Sequence, residues 1–224
     1  VTLPPCRDHA ATRPMPMPHE TAQAAFWNRV ARRYAAMPMR NPATWEETLA
    51  RSLALLPPEA HILELGCGTG TTALRLAPHV ARYIATDDAA QMIAIATEKN
   101  TDHPNLTLLQ ARPGDGSLPR GPFDAILAFN LLHLLPDRGS ALHEAHRLLK
   151  PGGHLITKTP CLGGRWLFLW PLLRSLQRAG KLPPFRFLSP RRLETEITNA
   201  GFTLTDRADL PRRPPQRFLV ARKP

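Results

Sequence analysis

At 224 residues, the chain is long enough for one α/β domain with a full core and some appended pieces. Its formal net charge of +11 is lopsided: residues 1–159 hold 16 Lys/Arg against 14 Asp/Glu, and residues 160–224 hold 13 against 4. Three scattered cysteines, none in a Cys-x-x-Cys pair, exclude a disulfide framework and fit a reducing cytoplasm, and no run of about 18 apolar residues is available to cross a bilayer.

Residues 1–18 carry five prolines and few core-forming side chains, so they read as a disordered lead-in. No basic patch followed by an apolar core is present there, which points away from export. From His19 to Met37, the spacing of Phe26, Val30 and Tyr34 predicts a helix laid on a core. A second helix over Ala43 to Leu56 carries Trp45, Leu49, Leu53 and Leu56, and Pro57-Pro58 ends it. Residues 19–58 thus form an N-terminal helical segment ahead of a main domain over residues 59–224.

That main domain begins at His61-Ile62-Leu63-Glu64-Leu65-Gly66-Cys67-Gly68-Thr69-Gly70. An apolar run ending in glycines at alternate positions reads as a buried parallel strand that turns tightly into a helix. Glycine admits backbone angles closed to other residues and lets a ligand lie against the main chain, so the turn is a cofactor seat. A dinucleotide site would show Gly-x-Gly-x-x-Gly. Here the pattern is Gly-x-Gly-x-Gly with Glu64 two residues upstream, where a carboxylate repels phosphate but can pair with an ammonium group. An amino-acid-bearing cofactor fits better than a nicotinamide dinucleotide.

Glu64, Gly66, Gly68 and Gly70 together resemble the first motif of the class I S-adenosylmethionine-dependent methyltransferases. Asp87-Asp88 closes the next predicted strand, Arg82 to Thr86, with Asp87 twenty-one residues past Gly66; an acid there accepts the ribose hydroxyls. The resemblance covers roughly Phe26 to Lys223. It implies S-adenosyl-L-methionine as cofactor and a Rossmann-like, doubly wound, seven-stranded, mostly parallel sheet with an antiparallel C-terminal edge strand. It further implies a lid built by residues 19–58, with Tyr34 and Trp27 as the candidates at the methionine end. Cys67 and Asp88 belong to the same cofactor seat by their place in the two motifs, and Met92 is placed near the adenine.

The remaining elements follow in βα rhythm: helices over Thr71 to Ala77 and Ala89 to Asn100, and strands over Leu106 to Gln110 and Phe123 to Phe129. In the family that the motifs resemble, an acid soon after the third strand binds the adenine amino group. Arg112 stands at about that position and Asp115 three residues later, so both remain candidates. Asn130 and His133 follow the fourth strand at the carboxyl end of the sheet, where ligands bind. His133 is the candidate general base, with an unperturbed pKa near 6.5. Lys150-Pro151-Gly152-Gly153 is expected to end the helix over Asp137 to Leu149, ahead of a fifth strand from His154 to Thr159. His143 and His146 lie on that helix but lack metal-protease spacing, and no metal is expected.

Residues 160–188 interrupt the alternation with an apolar stripe, Trp166 to Leu173, followed by Arg174, Arg178 and Lys181. An insertion there commonly builds the substrate pocket in the resembled family; peripheral membrane contact through residues 166–181 is the competing reading. Ser189-Pro190 starts a last helix that Gly201 stops, and strands over Phe202 to Thr205 and Arg217 to Ala221 finish the sheet.

The likeness is nearest to the small-molecule branch that includes ubiquinone and menaquinone biosynthesis methyltransferases, which implies a small-molecule, apolar methyl acceptor. Two other readings remain: an RNA methyltransferase or RNA-binding protein using the basic C-terminal third, disfavoured because no Asn-Pro-Pro-Tyr-like tetrapeptide follows the fourth strand, and a non-catalytic cofactor-binding subunit. Neither the oligomeric state nor the methylated atom is encoded in any motif.

Overall fold

A computed structural model describes residues 20–162, 170–212 and 215–224. The expected lead-in over residues 1–18 lies outside the described residues, as does the first part of the apolar stripe, Trp166 to Leu169.

Two helices, α1 (Ala22–Ala35) and α2 (Pro42–Leu53), precede the sheet. Then come β1 (His61–Leu65), α3 (Thr71–Leu76), β2 (Arg82–Asp87), α4 (Ala90–Lys99), β3 (Leu106–Gln110) and β4 (Phe123–Phe129). After these run α5 (Arg138–Leu148), β5 (Leu149–Pro160), α6 (Trp170–Arg178), α7 (Pro190–Asn199), β6 (Thr203–Asp209) and β7 (Gln216–Arg222). The seven strands form one sheet in the order β3-β2-β1-β4-β5-β7-β6. Strands β1 to β5 are mutually parallel, and β7 pairs antiparallel with both β5 and β6. This is the Rossmann-like, mostly parallel sheet expected from the sequence. The antiparallel strand is indeed the C-terminal one, but it lies one position in from the edge, because the chain crosses to the outside with β6 and returns through the gap.

Side chains alternate across the central strands and fill two cores, as a sheet covered on both faces requires. Leu63, Leu65, Ile126 and Leu155 meet Leu142 and Leu148 of α5 and Leu193 and Ile197 of α7. On the opposite face Ile62, Leu127 and Ile156 meet Leu49 of α2 and Leu76 of α3. A small third cluster ties Ala31 of α1, with Trp27, to Met92 and Ile95 of α4. Helix α1 is therefore seated beside the end of β2.

One expected boundary moves. Lys150 to Gly153 do not separate a helix from a strand: β5 starts at Leu149, directly after α5, and the register with β4 slips between the pairs Phe123–Leu149 and Ala125–His154. A Cβ on Gly153 would stand 2.9 Å from the Lys150 carbonyl and 3.0 Å from that of Asp124. Glycine is needed there because two backbones approach inside the ladder.

Candidate active site

A cavity of about 780 Å³ opens at the carboxyl ends of the central strands, next to the β1–β4 pair where the strand order reverses. Its size falls within the roughly 300–1,000 Å³ of small-molecule sites, and a switch point is where open α/β sheets bind ligands.

The β1–α3 turn forms its floor. Gly66, Gly68 and Gly70 all have positive φ, at 69°, 55° and 75°, which is why three glycines occur within five residues. Their surroundings differ. A Cβ on Gly68 would meet no described atom within 4 Å, so its backbone faces open cavity. A Cβ on Gly70 would lie 2.9 Å from Cβ of Ala96, and Gly70 is not on the wall. Gly70 lets α3 start close against α4, a packing requirement separate from the cofactor contact expected of it.

Asp87 ends β2 beside this turn. Its Oδ2 accepts the Gly68 N–H and its Oδ1 the Ala89 N–H, both at 2.9 Å. Each oxygen keeps a lone pair for another donor. Burial raises its pKa above the usual carboxylate value, against the two backbone hydrogen bonds. Asp88 accepts the Thr21 hydroxyl at 2.6 Å, which anchors the start of α1 over the site, since the same hydroxyl oxygen caps the helix by accepting the Ala24 N–H.

Glu64 is 2% exposed and lines the cavity from the same face of the sheet as Ile62. Tyr83 donates its hydroxyl to Oε2 at 2.9 Å. Burial pushes the carboxyl up to about 7, with the Tyr83 hydrogen bond working the other way and the Asp87 charge adding to the rise. Cys67 is buried on the wall, with its thiol pushed well up, chiefly by burial. Met92 lines the cavity from α4, and Trp27 and Tyr34 line it from α1, edge to face at 5.5 Å.

The loop after β3 resolves part of the Arg112/Asp115 question. Both residues reach the wall, but the Arg112 guanidinium lies 3.1 Å from Asp115 and 3.8 Å from Asp88. Asp115 Oδ1 also accepts the Ser117 N–H and hydroxyl, and the Arg112 N–H donates to Ser117 Oγ. Those side chains brace the loop, and Ala111 to Asp115 present it to the cavity as a unit.

Asn130 lines the wall at φ 55°, a left-handed conformation that asparagine tolerates, and its N–H donates to the Lys158 carbonyl at 2.7 Å. That turn swings the next residues around the rim: Leu131, Leu134 and Leu135 face the cavity, whereas His133 is not among the described lining residues. Its Nδ1 is buried with no hydrogen-bond partner among the described residues, and burial, then the Arg138 charge, pull its pKa down to about 4. The expected general base is thus half-buried, off the described lining, and a weak base.

Sequence reasoning overlooked Lys158. It is 7% exposed, lies near the end of β5 on the cavity wall, and donates to Thr48 Oγ1 of α2 at 2.9 Å. The one signal available was a lysine near the carboxyl end of a central strand, where ligands bind. The insertion also differs from expectation: Arg174 and Gln177 of α6, then Pro184 to Arg186, reach the cavity, while Trp170 and Leu172 are 47% and 59% exposed. The described part of the stripe faces outward rather than lining a pocket.

Glu64 and His133 have opposite effects on stability. The folded pKa of Glu64 lies above its unfolded value near 4.5, so its contribution is complete below that pH and is lost as pH rises through about 7. His133, folded near 4 against about 6.5 unfolded, contributes above 6.5 and loses that contribution as pH falls through about 4. Between pH 4.5 and 6.5 the two slopes oppose each other. Glu64→Gln removes the falling one, so over that window the variant should gain about 2 kcal/mol more than the ligand-free wild type. Thermal melts at half-unit pH steps check this; parallel curves for the two proteins would show that Glu64 titrates normally.

Residues 62–153, about two-fifths of the chain, match the family model for a methyltransferase domain. The chain is 34% identical over 104 residues to a ubiquinone biosynthesis O-methyltransferase of Alkalilimnicola ehrlichii, covering 44% of this chain and 40% of that one. It is 37% identical over 128 residues to chondramide synthase of Chondromyces crocatus, covering 54% of this chain and 3% of that one. This chain therefore spans well under half the length of either relative. Among solved structures, it resembles one from a complex between the Haloferax volcanii Trm112 methyltransferase activator and a putative methyltransferase (TM-score 0.74, 17% identity, 90% of this chain and 97% of that one). It also resembles the N-methyltransferase NodS of Bradyrhizobium japonicum in complex with S-adenosylhomocysteine (TM-score 0.67, 20% identity, 88% and 98%). At these identities the structural likeness is one of fold.

Proposed function

We propose that this chain, whose residues 62–153 match a methyltransferase domain, is a class I enzyme that transfers the methyl group of S-adenosyl-L-methionine to a small-molecule acceptor. The observation that carries this reading is the convergence of Glu64, the open backbone of Gly68 and the half-buried carboxylate of Asp87 on one cavity at the switch point. That donor and acceptor set fits a ligand with an ammonium group at one end and a ribose at the other.

In this reading Glu64 accepts the ammonium group of the methionine tail, directly or through water, and so ionises on binding. Asp87 uses its two remaining lone pairs for the ribose hydroxyls, while Gly66 and Gly68 lie flat against the ligand. Met92 and the loop Ala111 to Asp115 enclose the adenine. Tyr34 and Trp27 close over the methionine end as part of a lid built by residues 19–58, held down by the Thr21–Asp88 hydrogen bond. Asn130 shapes the rim between cofactor and acceptor.

When bound, S-adenosylmethionine supplies a methyl group already made electrophilic by its sulfonium. The protein has to align a nucleophile and exclude water. Leu131, Leu134, Phe129 and Phe185 give the acceptor side apolar wall, and Gln177, Arg174 and Arg186 give it polar points. A nucleic-acid partner fits less well, since the basic C-terminal third spends Arg192, Arg207 and Arg217 on ion pairs with Glu196, Glu194 and Asp209.

Calorimetry with S-adenosylhomocysteine is the first test and should show one site per chain. Incubation of S-adenosylmethionine with a panel of phenols, aliphatic alcohols, amines and 1,3-dicarbonyls, read as S-adenosylhomocysteine release, tests turnover. Absence of cofactor binding overturns the proposal; binding without turnover on any acceptor class favours a non-catalytic subunit.

A further inference from the structure

We propose that Lys158 is the catalytic base of this site, taking the proton of an acidic, phenol-like hydroxyl on the methyl acceptor. The proposal rests on the cofactor-site reading above and adds to it the acceptor's chemical class.

The sheet places Lys158 on the acceptor side. Its register partner on β4 is Phe129, and Leu127, two residues earlier on β4, pairs with Glu64 of β1. Glu64 and Lys158 share the sheet face that packs under α2, with Phe129 between them. Two strand spacings and two residues of rise put their Cα atoms about 12 Å apart. That leaves room for the short methionine tail and for an acceptor atom in near-contact with the methyl group, about 3–3.5 Å away.

Chemically, the Lys158 side chain is poised for a proton. Among the described residues no carboxylate lies within the 4.0 Å of an ion pair. Among the described residues its one side-chain hydrogen bond goes to Thr48 Oγ1, whose own proton is committed to the Thr44 carbonyl at 2.7 Å. As a neutral amine, Lys158 would donate one N–H to Thr48 and still have a lone pair for the cavity. An ammonium buried there with a hydroxyl as its only partner would be costly. Burial lowers its pKa below the ordinary lysine value.

The charges around Lys158 are few. On α2, Glu47 pulls the pKa upward, but Glu47 is itself paired with Arg51 at 3.1 Å. On β7, Phe218 is the register partner, and the adjacent Arg217 is held by Glu194 and Asp209. Between Ala125 and Asn130, β4 and its turn offer no ionisable group. On β1, Glu64 lies across Phe129.

In the proposed step the acceptor O–H bond breaks and its proton moves to the Lys158 amine. The oxygen electron pair forms the new O–C bond while the S–C bond breaks onto sulfur. The ammonium then returns its proton to solvent. Acidity selects the acceptor. A phenol, with a pKa near 10, is close to a lysine amine, whereas an aliphatic alcohol, about as weakly acidic as water, would make the transfer uphill by roughly five orders of magnitude.

The test begins without turnover. The chain has five lysines, at positions 99, 150, 158, 181 and 223, so ¹³C-lysine labelling gives five Cε signals that can be followed with pH by NMR. The signal missing from Lys158→Met should titrate below the ordinary lysine value, because burial disfavours its ammonium form; titration at or above that ordinary value overturns the proposal. In the acceptor panel, phenols should turn over, and Lys158→Met should lower kcat by about 100-fold or more with S-adenosylhomocysteine affinity unchanged. Lys158→Arg, which stays protonated and cannot act as a base near neutral pH, should fall equally. Full activity in Lys158→Arg, or turnover confined to non-phenolic acceptors, overturns the proposal. Loss of cofactor binding by the wild type would instead sink the cofactor-site reading, and the lysine titration is independent of that result.

Discussion

Asp87→Ala is expected to weaken S-adenosylmethionine binding by about 100-fold or more while leaving the protein folded. Two hydrogen bonds from ribose hydroxyls to a charged carboxylate are each worth roughly 1.5–3 kcal/mol, and about 1.4 kcal/mol is tenfold in affinity. The substitution also releases the Gly68 and Ala89 N–H groups that the carboxylate holds at 2.9 Å, so the glycine turn loses its tether. Its folding cost is moderated because burial already disfavours the charged form of Asp87. Asn is no conservative replacement here. Its amide NH₂ would face one of two N–H donors, so Asp87→Asn should also lose affinity. Calorimetry on both variants, with circular dichroism as the control for folding, checks the prediction; wild-type affinity in Asp87→Ala would dismiss the ribose contact.

Substitutions at Gly68 and Gly70 should part company although the two residues look alike in sequence. Gly68→Arg meets only the cost of a left-handed backbone, about 1–2 kcal/mol, because its Cβ has no described neighbour within 4 Å. Its side chain enters the cavity, so binding should vanish while the melting temperature falls by only about 2–8 °C. Gly70→Val adds to the same backbone strain a collision with Ala96, whose Cβ lies 2.9 Å from the new Cβ. Overpacking costs about 1–3 kcal/mol more, so this variant should lose roughly 4–20 °C of melting temperature. The folded fraction should still bind. Melts and titrations run together separate the cases: lost binding at wild-type stability in Gly70→Val would put Gly70 on the ligand side after all.

Much of the fold was legible because its signals are local. A strand buried on both faces shows as an apolar run, as in Phe123 to Phe129, and a tight turn shows as glycines where φ must be positive, as in Gly66 to Gly70. Asp87 was legible for the same reason, since the distance from one strand end to the next in a βαβ unit varies little. The lining of the acceptor side was less legible. His133 looked well placed along the chain, but the left-handed turn at Asn130 carries it off the wall. Trp170 and Leu172 looked like pocket lining until α6 presented Arg174 and Gln177 instead.

The parallel sheet, the glycine turn and the acid that closes β2 follow from residue order alone, because each depends on steric and hydrogen-bonding rules acting over a few residues. Long-range packing is what sets β7 between β5 and β6, brings Gly70 against Ala96 and joins Lys158 to Thr48 across 110 residues of chain. Those outcomes depend on which faces come together once both cores close, and contacts between distant segments leave no periodicity behind in the residues that make them.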